Sequence, residues 1–384
     1  MSELTVPLIK IDRIEPHPNA DRMELVFVDG YQVCVQCNTF IPGDKAVYIP
    51  VDSIVNGELE ALIFGANSKV KLHKHRVKCI KLRGAMSEGL LIPWDCACQY
   101  LDTYNFKQVK VILSARVGDN LMDVLNITKY QPPVKVPRAM AGAKQSPKRH
   151  CHPAFSKYTD IGHLKKYWNA FKEGENVIVT EKIHGTNFRC GWVPFIPRTF
   201  FQKLKNIFTR SKTYEFVYGS HNVQLMDGGQ KKKDAFADNV YLRVVNNNKL
   251  KQKIPMGQLW YGEIFGDGIQ KGYEYSRING RVDVMFMDIK DVILNEYFDF
   301  HAMVEHVEAA GECAVPHWCT TFNREHIIEH LNDPERISYV DGKTKPIEGY
   351  VIRRDRSEKF YGGRLILKLL SDAYLLRKDN TDWH

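Results

Sequence analysis

Apolar and polar positions alternate in short runs through the first third of the chain. In Tyr31–Gln36, Tyr31, Val33 and Val35 alternate with Gln32, Cys34 and Gln36, the period of a strand with one buried face. Residues 6–14, Met23–Val28, Lys45–Ile49 and 76–82 are similarly rich in β-formers. Turn chemistry separates them, including Asp29-Gly30 and Pro42-Gly43-Asp44. Five short strands in a small unit predict a compact barrel such as an OB-fold.

The pattern changes at Gln131-Pro132-Pro133, which opens a stretch of Pro, Lys and Ala with little apolar periodicity. The predicted organisation is therefore an OB-like domain over 1–131, a basic linker over 132–156 and a second domain over 157–384. Leu164, Tyr167 and Trp168 predict a short helix early in that second domain, and 177–181 is a strongly β-branched strand. Phe200, Phe201, Leu204, Ile207 and Phe208 fall at helical spacing with Lys203, Lys205 and Arg210 among them. They predict a basic amphipathic helix, with packing on its own domain preferred over a nucleic-acid or membrane face. Further strands are expected at 258–265, 282–289, 350–353 and 364–370, with helices at 298–310 and 324–331. Such a mixture predicts an α+β domain of largely antiparallel sheets with flanking helices.

Composition narrows the function classes. The 384 residues are 44% hydrophobic and 26% charged, a globular balance. No apolar run is long enough to span a bilayer, and the first residues lack a signal layout, so no membrane partner is expected. Nine cysteines in that context predict reduced thiols and a cytoplasmic location. The net charge of +9 fits a polyanionic partner. Lys135, Arg138, Lys144, Lys148 and Arg149 form one acid-free basic stretch, and Arg198, Lys203, Lys205, Arg210 and Lys212 another. Cys34 and Cys37 have the spacing of zinc ligands, but positions three apart on a strand face opposite sides, so no zinc site is expected there.

Candidate chemistry centres on Thr180-Glu181-Lys182-Ile183-His184-Gly185-Thr186-Asn187. A lysine ends a buried-looking strand, and a glycine three residues on permits close backbone approach. Lysine attacks phosphorus only as the neutral amine. From a reference pKa of about 10.4 that requires a depression worth about 4 kcal/mol near neutral pH, which desolvation or a nearby cation can supply. By itself the pair also describes an ordinary strand-end lysine.

The longer string Lys-Ile-His-Gly-Thr-Asn resembles the nucleotidyl-transferase motif of the RNA ligase 2 family, with His184 marking that branch. The resemblance implies that Lys182 forms a lysyl-AMP adduct, with Glu181 among the nucleotide contacts and Asn187 on the nucleotide or the RNA end. Other segments follow in the family's order. Tyr218-Gly219-Ser220-His221-Asn222 resembles motif Ia, with His221 where the family has arginine. Trp260-Tyr261-Gly262-Glu263-Ile264-Phe265-Gly266 resembles motif III and implies that Glu263 binds the ribose hydroxyls. Asp283-Val284-Met285-Phe286-Met287-Asp288-Ile289 resembles motif IIIa. Its adenine-stacking position falls on Met287, or on Phe286 in a shifted register. Ile347-Glu348-Gly349-Tyr350-Val351-Ile352-Arg353 resembles motif IV and implies that Glu348 holds a divalent ion. Leu367-Lys368-Leu369-Leu370-Ser371 resembles motif V and places Lys368 on the α-phosphate. Ile366 stands where the family often has a second lysine, and Arg364 is a candidate substitute.

The resemblance covers most of 158–374. It implies ATP and Mg2+ or Mn2+ as cofactors, and RNA with 3′-hydroxyl and 5′-phosphate ends, in duplex form, as partner. The N-terminal barrel is similar to that of the Naegleria/Deinococcus-type branch. Two rival readings share the fold: a GTP-using capping-type transferase, against which the Lys-x-His-Gly string argues, and an inactive RNA end-binding protein.

Overall fold

A computed structural model describes residues 4–65, 68, 70–104, 114–131, 151–197, 213–225, 240–269, 282–343, 346–360 and 363–377. Both predicted basic stretches, in the linker and in the helix at 200–208, lie outside the described residues, Lys135 and Arg210 among them. The chain forms two compact units. One comprises Met1–Pro137, Gly162–Ala170 and Asp372–His384, and the other Arg138–Ile161 and Phe171–Ser371.

The first unit contains the predicted small barrel. Arg13–Pro16, Met23–Val28 and Tyr31–Gln36 form one antiparallel sheet, and Leu8–Lys10, Lys45–Ile49 and Leu90–Pro93 another. The hairpin Cys79–Leu82/Ala85–Glu88 is stitched to the Tyr31 strand by Gln32 Nε2, which donates to the Met86 carbonyl at 2.8 Å. Tyr31, Val33 and Val35 point into a core with Val26, Phe40 and Tyr48, as the alternation requires. The predicted strand at 6–14 is two strands, because the chain turns between Lys10 and Arg13. Cys34 and Cys37 donate to separate carbonyls, those of Met86 and Asp21. The short helix expected near 164 is the 3-10 turn Leu164–Tyr167, which groups with this unit. Gly30 donates to the Lys165 carbonyl at 2.9 Å, and a Cβ on Gly30 would lie 2.8 Å from Lys165 Cα. Lys165 Nζ bonds both oxygens of buried Glu88, at 2.8 and 2.7 Å.

Among the described residues, the second unit is built mainly on two antiparallel sheets with few helices. In one, the strand order is Ile366–Leu370, Gly349–Arg353, Asn176–Lys182, His317–Thr321. The other is six-stranded and centres on Thr186–Pro194, Gln258–Gly266 and Val282–Asp291. Helices Phe300–Ala309 and Arg324–Asn332 flank them, close to their expected bounds. Asn323 caps the second helix by accepting from the His326 N–H. A buried clamp joins the sheets. Asp288 Oδ2 accepts from Tyr158 Oη at 3.0 Å, Arg353 Nη1 at 3.1 Å and Arg364 Nη1 at 2.6 Å. Asp288 is fully buried, so its charge is held there by the two guanidiniums.

Candidate active site

Lys182 is the last residue of its strand, and Thr186 is the first residue of a strand in the other sheet. The turn between them, Ile183-His184-Gly185, therefore carries the chain from one sheet to the other. Gly185 is required by proximity: a Cβ there would stand 2.2 Å from the Ile264 carbonyl oxygen and 2.9 Å from Glu263 Cγ. The close approach foreseen for this glycine is thus to the strand bearing Glu263. That packing brings motif III against motif I.

Register places the two predicted lysines together. Lys182 opposes Gly349, which opposes Leu370; Thr180 opposes Val351, which opposes Lys368. Opposed residues in antiparallel strands share a face, as do residues two apart, so Lys182 and Lys368 project from the same face. Lys368 is buried on it.

Glu348, buried beside the start of its strand, is the hub. Its Oε1 is 2.5 Å from Lys182 Nζ, and its Oε2 is 3.0 Å from His184 Nδ1. The Ser371 N–H donates to the Glu348 carbonyl at 3.0 Å, and Ser371 Oγ donates to the Ile347 carbonyl at 2.6 Å. Motif V thereby pins motif IV in place. Burial alone would push the Glu348 carboxyl up, but Lys182 and the His184 hydrogen bond outweigh it and hold the group below the usual carboxylate range. Glu263 is the opposite case. Burial, helped by the nearby Glu348 charge, pushes it up to about 8 against the opposing pull of Lys182 and the Gly185 N–H. Two carboxylates with divergent affinities for protons thus share one lysine.

Asn187 opposes Glu263, and Glu263 opposes Met285, so these three share a face of the second sheet. Asn187 Oδ1 is buried and, among the described residues, makes no hydrogen bond.

The two candidates for the base-stacking position are separated by a bulge. Gly262 opposes Phe286 and Tyr261 opposes Asp288, which leaves Met287 as the extra residue. Phe286 is fully buried, edge-on to Trp260 at 5.0 Å and 6.4 Å from Phe188, and belongs to the core. Met287 is partly buried against the cluster containing Tyr158 and Tyr261.

The fold sets three of the singled-out side chains in particular surroundings. The Glu181 side chain alternates to the face opposite Lys182. Its carboxylate accepts from Ser338 Oγ at 2.6 Å and the Tyr339 N–H at 2.8 Å, with Arg336 3.9 Å away. It braces the loop that carries Ser338 and Tyr339. Arg364 does not replace the missing motif V lysine. It lies on a separate two-residue strand, Gly363–Arg364, and its guanidinium bonds Asp288 and Ser357 Oγ. His221 is no fixed cation, since burial and then Lys157 lower its proton affinity. Sequence reasoning missed the roles of His184 and Arg353. His184 had a usable signal, standing two residues after Lys182; Arg353 finds Asp288 only through the tertiary fold.

A lysine at a sheet-to-sheet turn, faced by one ionised and one protonatable carboxylate, in a unit preceded by a small barrel, defines the nucleotidyl-transferase class with an N-terminal OB-fold. An OB-fold domain model matches residues 5–94, and the RNA ligase family model matches residues 175–370. The second match spans more than half of the 384 residues, and the protein belongs to the RNA ligase family. No curated protein sequence matches this chain. Among solved structures, Naegleria gruberi RNA ligase with PPi is similar at TM-score 0.66 and 21% identity, over 97% of this chain and 98% of that one. A lysine-to-alanine variant of that ligase with ATP and Mn gives 0.66 at 20% identity, with the same 97% and 98% coverage. A lysine-to-methionine variant with AMP and Mn gives 0.66 at 21%, again over 97% and 98%. The fold is an N-terminal OB-fold domain followed by a ligase nucleotidyltransferase domain. Among the described residues no helix is long and apolar enough to cross a membrane.

Proposed function

We propose that this protein is an ATP-dependent RNA ligase that joins 3′-hydroxyl and 5′-phosphate ends, acting at nicks in duplex RNA. The observation that carries the reading is the convergence of Lys182, Glu348 and Glu263 at the Gly185 turn, inside the region matched by the family. Naegleria gruberi RNA ligase, which shares the fold, has been solved with ATP and with AMP, both with Mn. ATP is consumed as a substrate.

Lys182 must part from Glu348 and shed its proton before its nitrogen can attack the α-phosphorus. The N–P bond forms as pyrophosphate leaves. Lys368, on the same face, neutralises charge on the α-phosphate, and Glu263 and Asn187 hold the nucleoside. A 5′-phosphate oxygen of the RNA then displaces Lys182 from the AMP phosphorus. The 3′-hydroxyl finally attacks that 5′-phosphate, forming the phosphodiester and releasing AMP. Charge neutralisation dominates phosphoryl transfer of this kind, and these groups supply it by position.

The residues present fit a divalent ion that arrives with the nucleotide. Among the described residues no cluster of three or more His, Cys, Asp or Glu side chains forms a dedicated cage. Two neighbouring carboxylates nevertheless compete for one lysine, and Glu348 would hold Mg2+ or Mn2+ together with phosphate oxygens and water. When bound, the ion supplies charge neutralisation at the phosphates.

The test is sealing of nicked duplexes in which each strand is RNA or DNA, beside Lys182→Ala. The proposal requires sealing of nicked RNA, dependent on ATP and abolished in the variant. Use of GTP alone would favour the capping-type reading. Failure to retain AMP with either metal would favour an inactive end-binding protein.

A further inference from the structure

Outside the ligase centre, three side chains from separate segments meet on the second unit. Cys319 lies on the edge strand His317–Thr321, His301 near the start of helix Phe300–Ala309, and Asp355 just after strand Gly349–Arg353. Cys319 Sγ is 3.6 Å from His301 Nε2, and His301 Nδ1 is 2.9 Å from Asp355 Oδ1. The same carboxylate oxygen accepts the His301 backbone N–H at 2.9 Å, so both ends of that histidine are tied to it.

The order of these contacts sets the direction of proton flow. Asp355 accepts only, so His301 presents Nδ1–H to it and leaves Nε2 as an acceptor. Among the described residues, the proton donor placed on Nε2 is the Cys319 thiol. A nucleophile within reach of a base that is itself oriented by a third group is the signature of an activated nucleophile. Asp355 is held below the usual carboxylate range: its burial is outweighed by the two His301 bonds and the Arg353 charge. It stays ionised to stabilise an imidazolium. Cys319 is exposed, and the His301 and Asp355 side chains are 52% and 45% accessible. Such openness suits a small soluble reactant and leaves no enclosed site for acyl transfer.

We propose that Cys319 is a covalent-modification site, activated by His301 and Asp355, whose reactants are low-molecular-weight disulfides. His301 Nε2 takes the thiol proton, and the Cys319 sulfur attacks one sulfur of the disulfide. The new S–S bond forms as the old one breaks, and the departing thiolate takes the proton back from Nε2. One disulfide and one thiol are exchanged for one disulfide and one thiol, and no further oxidant is consumed.

The experiment treats native protein, Cys319→Ser, His301→Gln and Asp355→Asn with glutathione disulfide, and follows each cysteine by peptide mass mapping. Circular dichroism and AMP attachment to Lys182 verify that each variant is folded. Near about pH 6.5, Cys319 is expected to react faster than Cys151, which is also exposed. His301→Gln should slow it by at least about tenfold, and Asp355→Asn by less. The gap should close as the pH rises and the thiol ionises unaided. An unchanged rate in His301→Gln at the low pH, or mixed disulfide at Cys151 with none at Cys319, would overturn the proposal.

Discussion

Replacing Glu263 by glutamine separates the stability of this site from its function. The Glu263 carboxyl is raised from an ordinary 4.5 to about 8, by burial first and then by Glu348. At about 1.4 kcal/mol per tenfold, that corresponds to about 4–5 kcal/mol of cost for the ionised form. Glu263 is partly accessible, and water screening reduces this to ~2–3 kcal/mol. The sign follows from which state holds the proton. Below pH 4.5 both folded and unfolded chains are protonated there, and the contribution is fully present. Between 4.5 and about 8 the unfolded chain ionises while the folded one resists, so stability falls and is lost as the pH passes the folded value. Glutamine has no such dependence. Urea unfolding at about pH 5 and about pH 8.5 should therefore show Glu263→Gln gaining ~2–3 kcal/mol on the native protein between the two conditions. The same variant should attach AMP poorly, a stability gain obtained at the expense of the site. A difference between variant and native that stays constant with pH would refute the reasoning about burial and Glu348.

Other substitutions probe other parts. Glu348→Gln should reduce AMP attachment by roughly a hundredfold or more, measured by single-turnover labelling, since it removes the carboxylate that would hold the divalent ion and that bonds His184. It should also flatten the loss of stability that the native protein shows as pH falls below 4.5 through the lowered folded value of Glu348. Asp288→Asn should destabilise the second unit by about 3–5 kcal/mol in denaturant melts, because Arg353 and Arg364 would stay buried without their anion. Gly185→Ala should abolish AMP attachment, because its Cβ would overlap the Ile264 carbonyl at 2.2 Å.

The strands were legible wherever local pattern and packing agree. Met23–Val28, Tyr31–Gln36 and Lys45–Ile49 have the bounds that alternation and turn residues set. Lys182, Glu263, Glu348 and Lys368 were legible because a family resemblance orders them along the chain, and the fold brings their strands to one place. What remained hidden depends on facts no single strand carries. The direction of Glu181 followed from alternation, but its partners Ser338 and Tyr339 lie over 150 residues away, at separations of 157 and 158. Phe286 and Met287 are separated by a bulge at Tyr261/Gly262, and a one-residue register change leaves no mark on hydrophobic pattern. Arg364 looked available on its strand until the break at Leu365 set it towards Asp288. Helix Leu164–Tyr167 was read as part of the second domain, because contacts between Lys165 and Gly30 or Glu88 are long-range.

Everything proposed for this site rests on Lys182 as the nucleophile. Native protein and Lys182→Ala should be incubated with α-labelled ATP and Mg2+ or Mn2+, denatured, digested and mapped by mass spectrometry. One AMP per chain is expected on the peptide containing Lys182, lost on reaction with pyrophosphate, with no label in Lys182→Ala. Label retained by Lys182→Ala, or AMP mapped to any other lysine of the native protein, would contradict it.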